Sequence, residues 1–195
     1  METNNFINTY LKETAEIANT LDQEVIEKMV KVLSQIRENK GRIFFLGVGG
    51  GAGTGSHSAN DFNKIAKISS ICLSDNPALL TALVNDEGWE SIFKRQLEMH
   101  HLRSDDCLFI FSVGGGTETT SKNLVEAINY AKEIGAKIVG VVGKDTGATA
   151  KEADACVIVP CLDDERRTPH TEDFQMIMNH LLVNLLAELE NQDEK

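Results

Sequence analysis

The chain has 195 residues, of which 42% are hydrophobic and 25% charged, and its formal net charge at pH 7 is −11. This length and composition predict one globular domain over residues 1–195, made of a helical segment at 1–40 and an α/β core at 41–195. The acidic balance argues against a nucleic-acid partner, because a polyanion would be repelled.

The N-terminal part of the chain has a helical pattern. Apolar residues recur at helical spacing over residues 5–39, which predicts helix there, and Asp22 is a plausible N-cap within the stretch. Helical patterns also lie at about 56–67, 77–99, 120–135 and 145–153. A last helix is predicted at about 168–191, with a core stripe of leucines: Leu181, Leu182, Leu185, Leu186 and Leu189.

Five short apolar runs alternate with these helices: RIFFLG, SSICLSD, CLFIFSVGGG, KIVGVVG and ACVIVP. Near-continuous apolar runs are typical of strands in a parallel sheet that is covered on both faces. The alternation therefore predicts an α/β fold of three layers, with a doubly wound, five-stranded parallel sheet. The long N-terminal and C-terminal helices are extra to this sheet, and such helices often pair between subunits, so we expect an oligomer.

No segment of the sequence predicts secretion or membrane insertion. The opening residues METNNFINTYLKETAE are polar and lack the apolar segment of a signal peptide. No apolar run approaches the roughly 18 residues needed to cross a bilayer. The cysteines form no CxxC pair, and Cys72, Cys107 and Cys156 lie in apolar runs, where a cysteine usually acts as a small buried hydrophobe. We therefore expect a reduced, cytoplasmic protein.

Two loops of the sequence, FLGVGGGAGTGS and IFSVGGGTETTS, place VGGG after an apolar strand and before a helix. In an open α/β sheet the ligand binds outside the carboxyl ends of the strands, near the point where the strand order reverses. Glycines let backbone N–H groups approach an anion, and the following helix N-terminus adds a partial positive charge. A phosphate is therefore the expected ligand, and the candidate contacts in the loops are Gly49, Gly50, Gly51, Ser112, Gly114, Thr119, Thr120 and Ser121.

Two other interpretations of the first loop stay open. GVGGGA fits the dinucleotide-binding pattern G-x-G-x-x-G/A, and Asp75 offers an acidic group for a ribose. The long helical segment before the strand, the second glycine loop and the lack of room for a catalytic domain argue against a dinucleotide. Alternatively, the glycines only form tight strand-to-helix turns. Neither loop has the G-x-x-x-x-G-K-[ST] spacing of ATP- and GTP-binding loops, so no nucleotide is expected.

Four side chains form a candidate metal or proton-transfer site. His57 and Asp61 are four residues apart and therefore share one helix face. Glu172 and His180, eight residues apart on the last helix, lie within about 80° of each other but two turns apart. This donor set suits zinc or another divalent metal, and the same groups can transfer protons. Alternatively, these residues form no joint site. His57 is then an exposed histidine and Asp61 pairs with Lys64, while Glu172 lies in a first helical turn, where the helix dipole favours acids.

Three other histidines are not predicted to belong to a site. His170 has the pattern of a turn residue before the last helix. His100 and His101 fall at the predicted exposed end of a helix.

Several segments taken together resemble the SIS (sugar isomerase) domain family, and within it the phosphoheptose isomerases. They are GVGGG with His57 and Asp61, CLSDNPALLTALVNDEGWESIFKRQL, IFSVGGG with TSKNLVEAI, and EDFQMIMNHLL. The similarity covers nearly the whole chain. It implies a flavodoxin-like, five-stranded parallel sheet with flanking helices, and a homotetramer whose active sites are shared between subunits.

The resemblance also implies an activity and its residues. The expected reaction is isomerisation of D-sedoheptulose 7-phosphate to D-glycero-D-manno-heptose 7-phosphate, an intramolecular oxidoreduction through an enediol. The substrate phosphate would lie among the hydroxyls of the second loop, beside Ser121, and Asn85 and Asp86 would belong to the site. The residues that the resemblance implies as zinc ligands are His57, Asp61, Glu172 and His180.

The sequence departs from the family pattern at functional positions. Val48 and Gly51 stand where asparagine and serine are usual, Asp61 where glutamate is usual, and Glu172 where glutamine is usual. The base is therefore either Asp61 or Glu172, with His180 as the acid. Isomerisation of another phosphosugar, and a non-catalytic protein that binds a sugar phosphate as a regulator, remain alternatives.

Overall fold

The computed structural model describes residues 3–193. Its strands are β1 Arg42–Gly47, β2 Ser69–Cys72, β3 Cys107–Ser112, β4 Lys137–Val142 and β5 Ala155–Ile158. All the strand pairs are parallel, and the order across the sheet is β2-β1-β3-β4-β5. The chain leaves β1 toward one edge and then continues from β3 toward the other, so the strand order reverses between β1 and β3. The predicted doubly wound parallel sheet is confirmed.

Eight α-helices surround this sheet in the described part of the chain. They are α1 Thr3–Thr20, α2 Gln23–Glu38, α3 Gly50–Lys64, α4 Pro77–Glu87, α5 Ile92–Met99, α6 Lys122–Ile134, α7 Ala148–Glu152 and α8 Arg167–Asp193. Short 3-10 turns at Trp89–Ser91 and Asp164–Arg166 precede α5 and α8. None of the described helices is both long enough and apolar enough to span a bilayer.

The sheet separates two apolar layers. Successive side chains of a strand point to opposite faces, so Phe44 and Phe45 of β1 enter different layers. Phe45 packs with apolar residues of α2, α3 and α8, whereas Phe44 packs with those of α4, α5 and α6. Both phenylalanines are fully buried. This burial on both faces explains why the strands read as continuous apolar runs.

Two predicted helices are each divided in the structure. The segment predicted as one helix over 5–39 breaks between α1 and α2, where the Asp22 side chain accepts a hydrogen bond from Val25 N at 3.1 Å. The segment predicted over 77–99 breaks at Gly88, whose φ of 89° ends α4. A side chain would be strained at that φ, so the glycine permits the break.

Helix α3 begins at Gly50, six residues before its predicted start at 56. The glycine-rich sequence gave little helical signal, because glycine has a low helix propensity. Close packing requires the glycines instead: a Cβ on Gly47 would lie 2.3 Å from the carbonyl carbon of Gly51. His57 therefore lies two turns into the helix, and not near its start as the predicted bounds imply.

Two predictions about α8 are wrong. Leu181, predicted in the core stripe, is 40% exposed, because the buried face of the helix runs through Met178, Leu182 and Leu186. His170, predicted as a turn residue, is a buried residue of the first helical turns and lies 3.1 Å from Glu13 Oε2 of α1. The position of α1 over the start of α8, which is a tertiary feature, accounts for this burial.

Helix α1 is attached mainly by polar contacts. Glu13 accepts hydrogen bonds of 2.8 Å from both Nε and Nη2 of Arg166, just before α8. Ile17 is its buried residue, whereas Phe6, Ile7 and Leu11 are about half exposed or more. The helix therefore presents an apolar face that no described residue covers.

Candidate functional site

Helices α3 and α8 pack side by side and bring three of the predicted side chains together. His57 Nε2 lies 3.2 Å from His180 Nε2 and 3.0 Å from Asp61 Oδ2. His180 Nε2 lies 3.7 Å from the same carboxylate oxygen. One ligand atom from each residue thus lies within 4.8 Å of the other two. Two imidazole nitrogens and a carboxylate oxygen are a donor set that suits zinc. We call these three residues the His–Asp–His cluster.

The cluster lies at the boundary between core and solvent. The side chains of His57 and His180 are about half exposed, whereas Asp61 is buried. From the buried side, Asn179 Nδ2 donates to Asp61 Oδ2 at 2.9 Å. Asn60 Nδ2 lies 3.2 Å from the other oxygen, Oδ1. The carboxylate is therefore held from within, and the histidines face it from the solvent side.

Glu172 does not join the cluster in this structure, which corrects the predicted set of four ligands. It precedes His180 by eight residues, a separation of about 12 Å along a helix axis. Its carboxylate lies against the first residue of α3: a Cβ built on Gly50 would be 2.4 Å from Glu172 Cδ. Helices α3 and α8 run in the same direction, so Gly50 and Glu172 meet two turns before His57 and His180 meet.

A crevice of about 210 Å³ opens where Glu172 lies, at the carboxyl ends of β1 and β3. The two glycine loops line it together, as their position at the point of strand reversal predicts. Its walls are Val48, Gly51, Ser112, Val113, Gly114, Thr120, Ser121, Glu172 and Gln175. Five of the predicted phosphate contacts thus line one cavity: Gly51, Ser112, Gly114, Thr120 and Ser121.

Hydrogen bonds hold the second glycine loop, which leads into the N-terminus of α6. Ser112 Oγ accepts a hydrogen bond from Gly115 N at 3.0 Å, and Thr149 Oγ1 donates to Gly115 O at 2.8 Å. Gly115 has a φ of 73°, which a side chain would strain. Ser121 caps α6 with its backbone in the left-handed region, and its hydroxyl makes no capping bond. The loop thus leaves hydroxyl groups and helix N–H groups at the wall of the crevice.

Other predicted contacts lie away from the crevice. Gly49, Gly50 and Thr119 are exposed and do not line it. Asn85 and Asp86 are exposed on α4, where Asn85 Nδ2 donates to Asp86 Oδ1 at 2.7 Å. Both lie in the last turn of α4, well beyond the end of β2, whereas the loop residues of the crevice directly follow β1 and β3.

Two buried amides of α8, Gln175 and Asn179, were missed by the sequence analysis. Gln175 Nε2 donates to Val141 O at 3.1 Å, and the side chain is part of the crevice wall. Asn179 donates to Asp61, as described above. Both are fully buried. Their spacing from Glu172 (three and seven residues) places all three on one helix face, and this polar stripe was the available signal.

The sequence and the fold are both similar to those of known proteins. The SIS domain family profile matches residues 6–143. A phosphoheptose isomerase of Helicobacter pylori (strain P12) is 32% identical over 169 residues, which are 84% of this chain and 83% of the relative. One from Aneurinibacillus thermoaerophilus is 27% identical over 95% of this chain and 94% of its own length. The solved phosphoheptose isomerase GmhA of Neisseria gonorrhoeae superposes with a TM-score of 0.82 at 22% identity, covering 94% of this chain and 98% of that one.

Proposed function

The chain belongs to the SIS domain family, and we propose that it is a phosphosugar isomerase that converts D-sedoheptulose 7-phosphate to D-glycero-D-manno-heptose 7-phosphate. The relatives named phosphoheptose isomerase match at about 30% identity over most of both chains. The observation that carries the proposal is the His–Asp–His cluster, which lies on the same two helices, α3 and α8, that wall the crevice of the glycine loops. A protein that only binds a sugar phosphate has little use for such a cluster.

The second loop is the proposed phosphate site. It offers the hydroxyls of Ser112, Thr120 and Ser121 at one wall, and α6 begins directly after Ser121. A helix N-terminus stabilises an anion through its free N–H groups and its dipole. The first loop is less suited to phosphate, because the carboxylate of Glu172 already lies at the start of α3. We expect this acid to face the sugar hydroxyls.

Proton transfer is assigned to Asp61 and His180. Isomerisation requires a base that removes a proton from C1, beside the C2 carbonyl, and an acid that protonates the carbonyl oxygen. The resulting 1,2-enediol then loses the O1 proton and receives a proton at C2, so no external oxidant or reductant is needed. Asp61 Oδ2 and His180 Nε2, 3.7 Å apart, are placed to act on neighbouring atoms of one substrate. Glu172, which lies in the crevice wall, is the alternative base.

The same cluster fits a divalent metal, with His57, Asp61 and His180 as the residues that would hold it. Bound zinc would act as a Lewis acid toward the sugar carbonyl and its developing negative charge. A carboxylate that binds a metal is a weaker base. Metal binding by Asp61 would therefore shift the role of base toward Glu172, and mutation of each acid separates the two assignments.

A homotetramer in the cytoplasm, with sites at the subunit interfaces, completes the proposal. The apolar residues Phe6, Ile7 and Leu11 on α1, and Ile177 and Leu181 on α8, are at least 40% exposed and are suited to contacts between subunits. All four cysteines are free thiols, as expected in a reducing compartment.

The test is turnover of sedoheptulose 7-phosphate by the purified protein, metal-free and with added zinc. We expect zinc-stimulated formation of the aldose, which His180→Ala abolishes. His101→Ala, which changes an exposed histidine at the end of α5, is the control and should keep full turnover. Binding of the sugar phosphate without turnover in either metal state would instead support another substrate or a regulatory protein.

A further inference from the structure

We propose that Asn179 is a positioning residue for the Asp61 carboxylate, which it holds in the orientation that the His–Asp–His cluster requires. The inference rests on the proposed function, because it assigns Asn179 to the metal and proton-transfer chemistry of that cluster. Asn179 does not line the crevice, and its side chain donates a hydrogen bond to Asp61 and to neither histidine.

The hydrogen bond that carries the inference is buried and has the ordinary length of an N–H···O bond. Asn179 is fully buried and Asp61 is 7% exposed, so water does not compete for the 2.9 Å contact between Nδ2 and Oδ2. The oxygen that accepts this bond is also the one that faces His57 Nε2 at 3.0 Å and His180 Nε2 at 3.7 Å. The amide therefore fixes the carboxylate atom that interacts with the histidines.

The chemistry of the pair determines which way the amide points. An ionised carboxylate only accepts hydrogen bonds, so the NH₂ group of Asn179 must face Asp61. The amide oxygen Oδ1 then faces away, and it has no hydrogen-bond partner among the described residues. A buried acceptor without a partner lowers stability. An apolar side chain of the same size would avoid that loss of stability. The hydrogen bond to Asp61 is therefore the contribution that asparagine makes at this position.

Its surroundings support the same conclusion. Four of the buried neighbours along α8 are apolar, namely Phe174, Met178, Leu182 and Val183, whereas Gln175, one turn before Asn179, is the other buried amide. Gln175 donates to a backbone carbonyl of β4, so of these two amides it is Asn179 that holds a side chain of the cluster. Groups that orient a ligand without touching the metal commonly change metal affinity or activity by about 10- to 100-fold when they are removed.

The test measures zinc binding directly, by competition with a chromogenic chelator. Asn179→Leu is expected to weaken zinc binding by about 10- to 100-fold, with binding of inorganic phosphate and the KM for the sugar phosphate unchanged. Asn179→Ala, which adds no bulk, gives the same comparison should the leucine disturb the packing. Asn184→Ala is the matched control, because that exposed amide donates only to His180 O of its own helix, and zinc affinity should not change.

The outcomes separate this inference from the proposed function. Folded Asn179→Leu and Asn179→Ala variants that bind zinc as tightly as the unaltered protein would overturn the positioning role. A protein that binds zinc through the cluster but does not turn over the heptose phosphate would overturn the proposed substrate, and weaker zinc binding by Asn179→Leu would still support the positioning role. Zinc binding that His57→Ala leaves unchanged would overturn both, because the cluster would then not be the metal site.

Discussion

Gly50 of α3 and Glu172 of α8 meet at a point where only a hydrogen atom fits between the helix backbone and the carboxylate. A Cβ on Gly50 would lie 2.4 Å from Glu172 Cδ and 2.5 and 2.6 Å from its two oxygens. Glu172 therefore depends on a glycine of the neighbouring helix for its place in the crevice wall. This dependence makes the role of the acid testable without mutating it.

Gly50→Ala is expected to displace the Glu172 carboxylate and to lower kcat/KM by about 10²-fold, the effect that misplacing a substrate-positioning group by roughly 1 Å can have. The free energy of unfolding should change by less than about 1 kcal/mol, because a flexible side chain can move aside and alanine favours helix. Gly53→Ala is the control: its Cβ would meet nothing within 4 Å, so turnover should be unchanged. Full turnover by Gly50→Ala would remove Glu172 from the mechanism.

Replacing each acid by its amide should identify the base. Asp61→Asn is expected to lower kcat by about 10²–10⁴-fold, the usual contribution of general acid–base catalysis. Glu172→Gln, which keeps the shape of a residue of the crevice wall, should act mainly on KM. Steady-state kinetics with the heptose phosphate, measured both without metal and at saturating zinc, distinguish the two, because Asp61→Asn also removes a zinc ligand. The opposite pattern, with the larger loss of kcat in Glu172→Gln, would assign the base to Glu172.

Zinc is expected to stabilise the protein against heat. A ligand that binds only the folded state at 100 times its Kd adds about 2.7 kcal/mol. For a chain of this size that corresponds to a rise in Tm of about 5–10 °C. The comparison is a thermal melt with zinc and with a chelator. His57→Ala should abolish the rise, and an equal rise in that variant would place the metal elsewhere.

The contact of α1 with the start of α8 should weaken in acid. Hydrogen bonds from Arg166 and His170 lower the pKa of Glu13 from 4.5 to about 2. Because the pKa is lowered on folding, the ionised carboxylate stabilises the protein above pH 4.5, and this contribution is lost as the pH falls toward 2. The Tm difference between the unaltered protein and Glu13→Gln should therefore be present at pH 7 and shrink below pH 4.5. A Tm difference that stays constant as the pH falls would contradict this prediction.

A buried ion pair fixes the start of the sheet. Asp106 is fully buried and accepts hydrogen bonds from the backbone N–H groups of Arg42 and Arg103 and from the Arg42 guanidinium. Burial alone would raise the pKa of Asp106, but these hydrogen bonds lower it overall. Asp106→Ala is expected to cost about 3–5 kcal/mol, since it leaves a partly buried guanidinium without its partner. Urea unfolding measures the loss, and a cost below about 1 kcal/mol would contradict the prediction.

Helix ends were harder to predict than strands. The five strands were found because a sheet covered on both faces needs continuous apolar runs, which are visible in one dimension. The start of α3 was missed because GGAGTG has a low helix propensity. Those glycines are nevertheless helical in the structure. The lack of a side chain at Gly47 and Gly50 allows Gly47 to approach Gly51 and Gly50 to approach Glu172. Contacts between distant segments override local propensity at such positions.

The sequence by itself determined the order of strands and helices along the chain, the two glycine loops, and the common helix face of His57 and Asp61. Each of these depends on spacing within one element or on a short run. The tertiary structure decided that His180 meets His57, that Glu172 lies in the crevice instead, and that Asn179 supports Asp61. The physical reason is that the axial offset and rotation of two packed helices depend on the side chains of both, and no spacing along one chain segment contains that information.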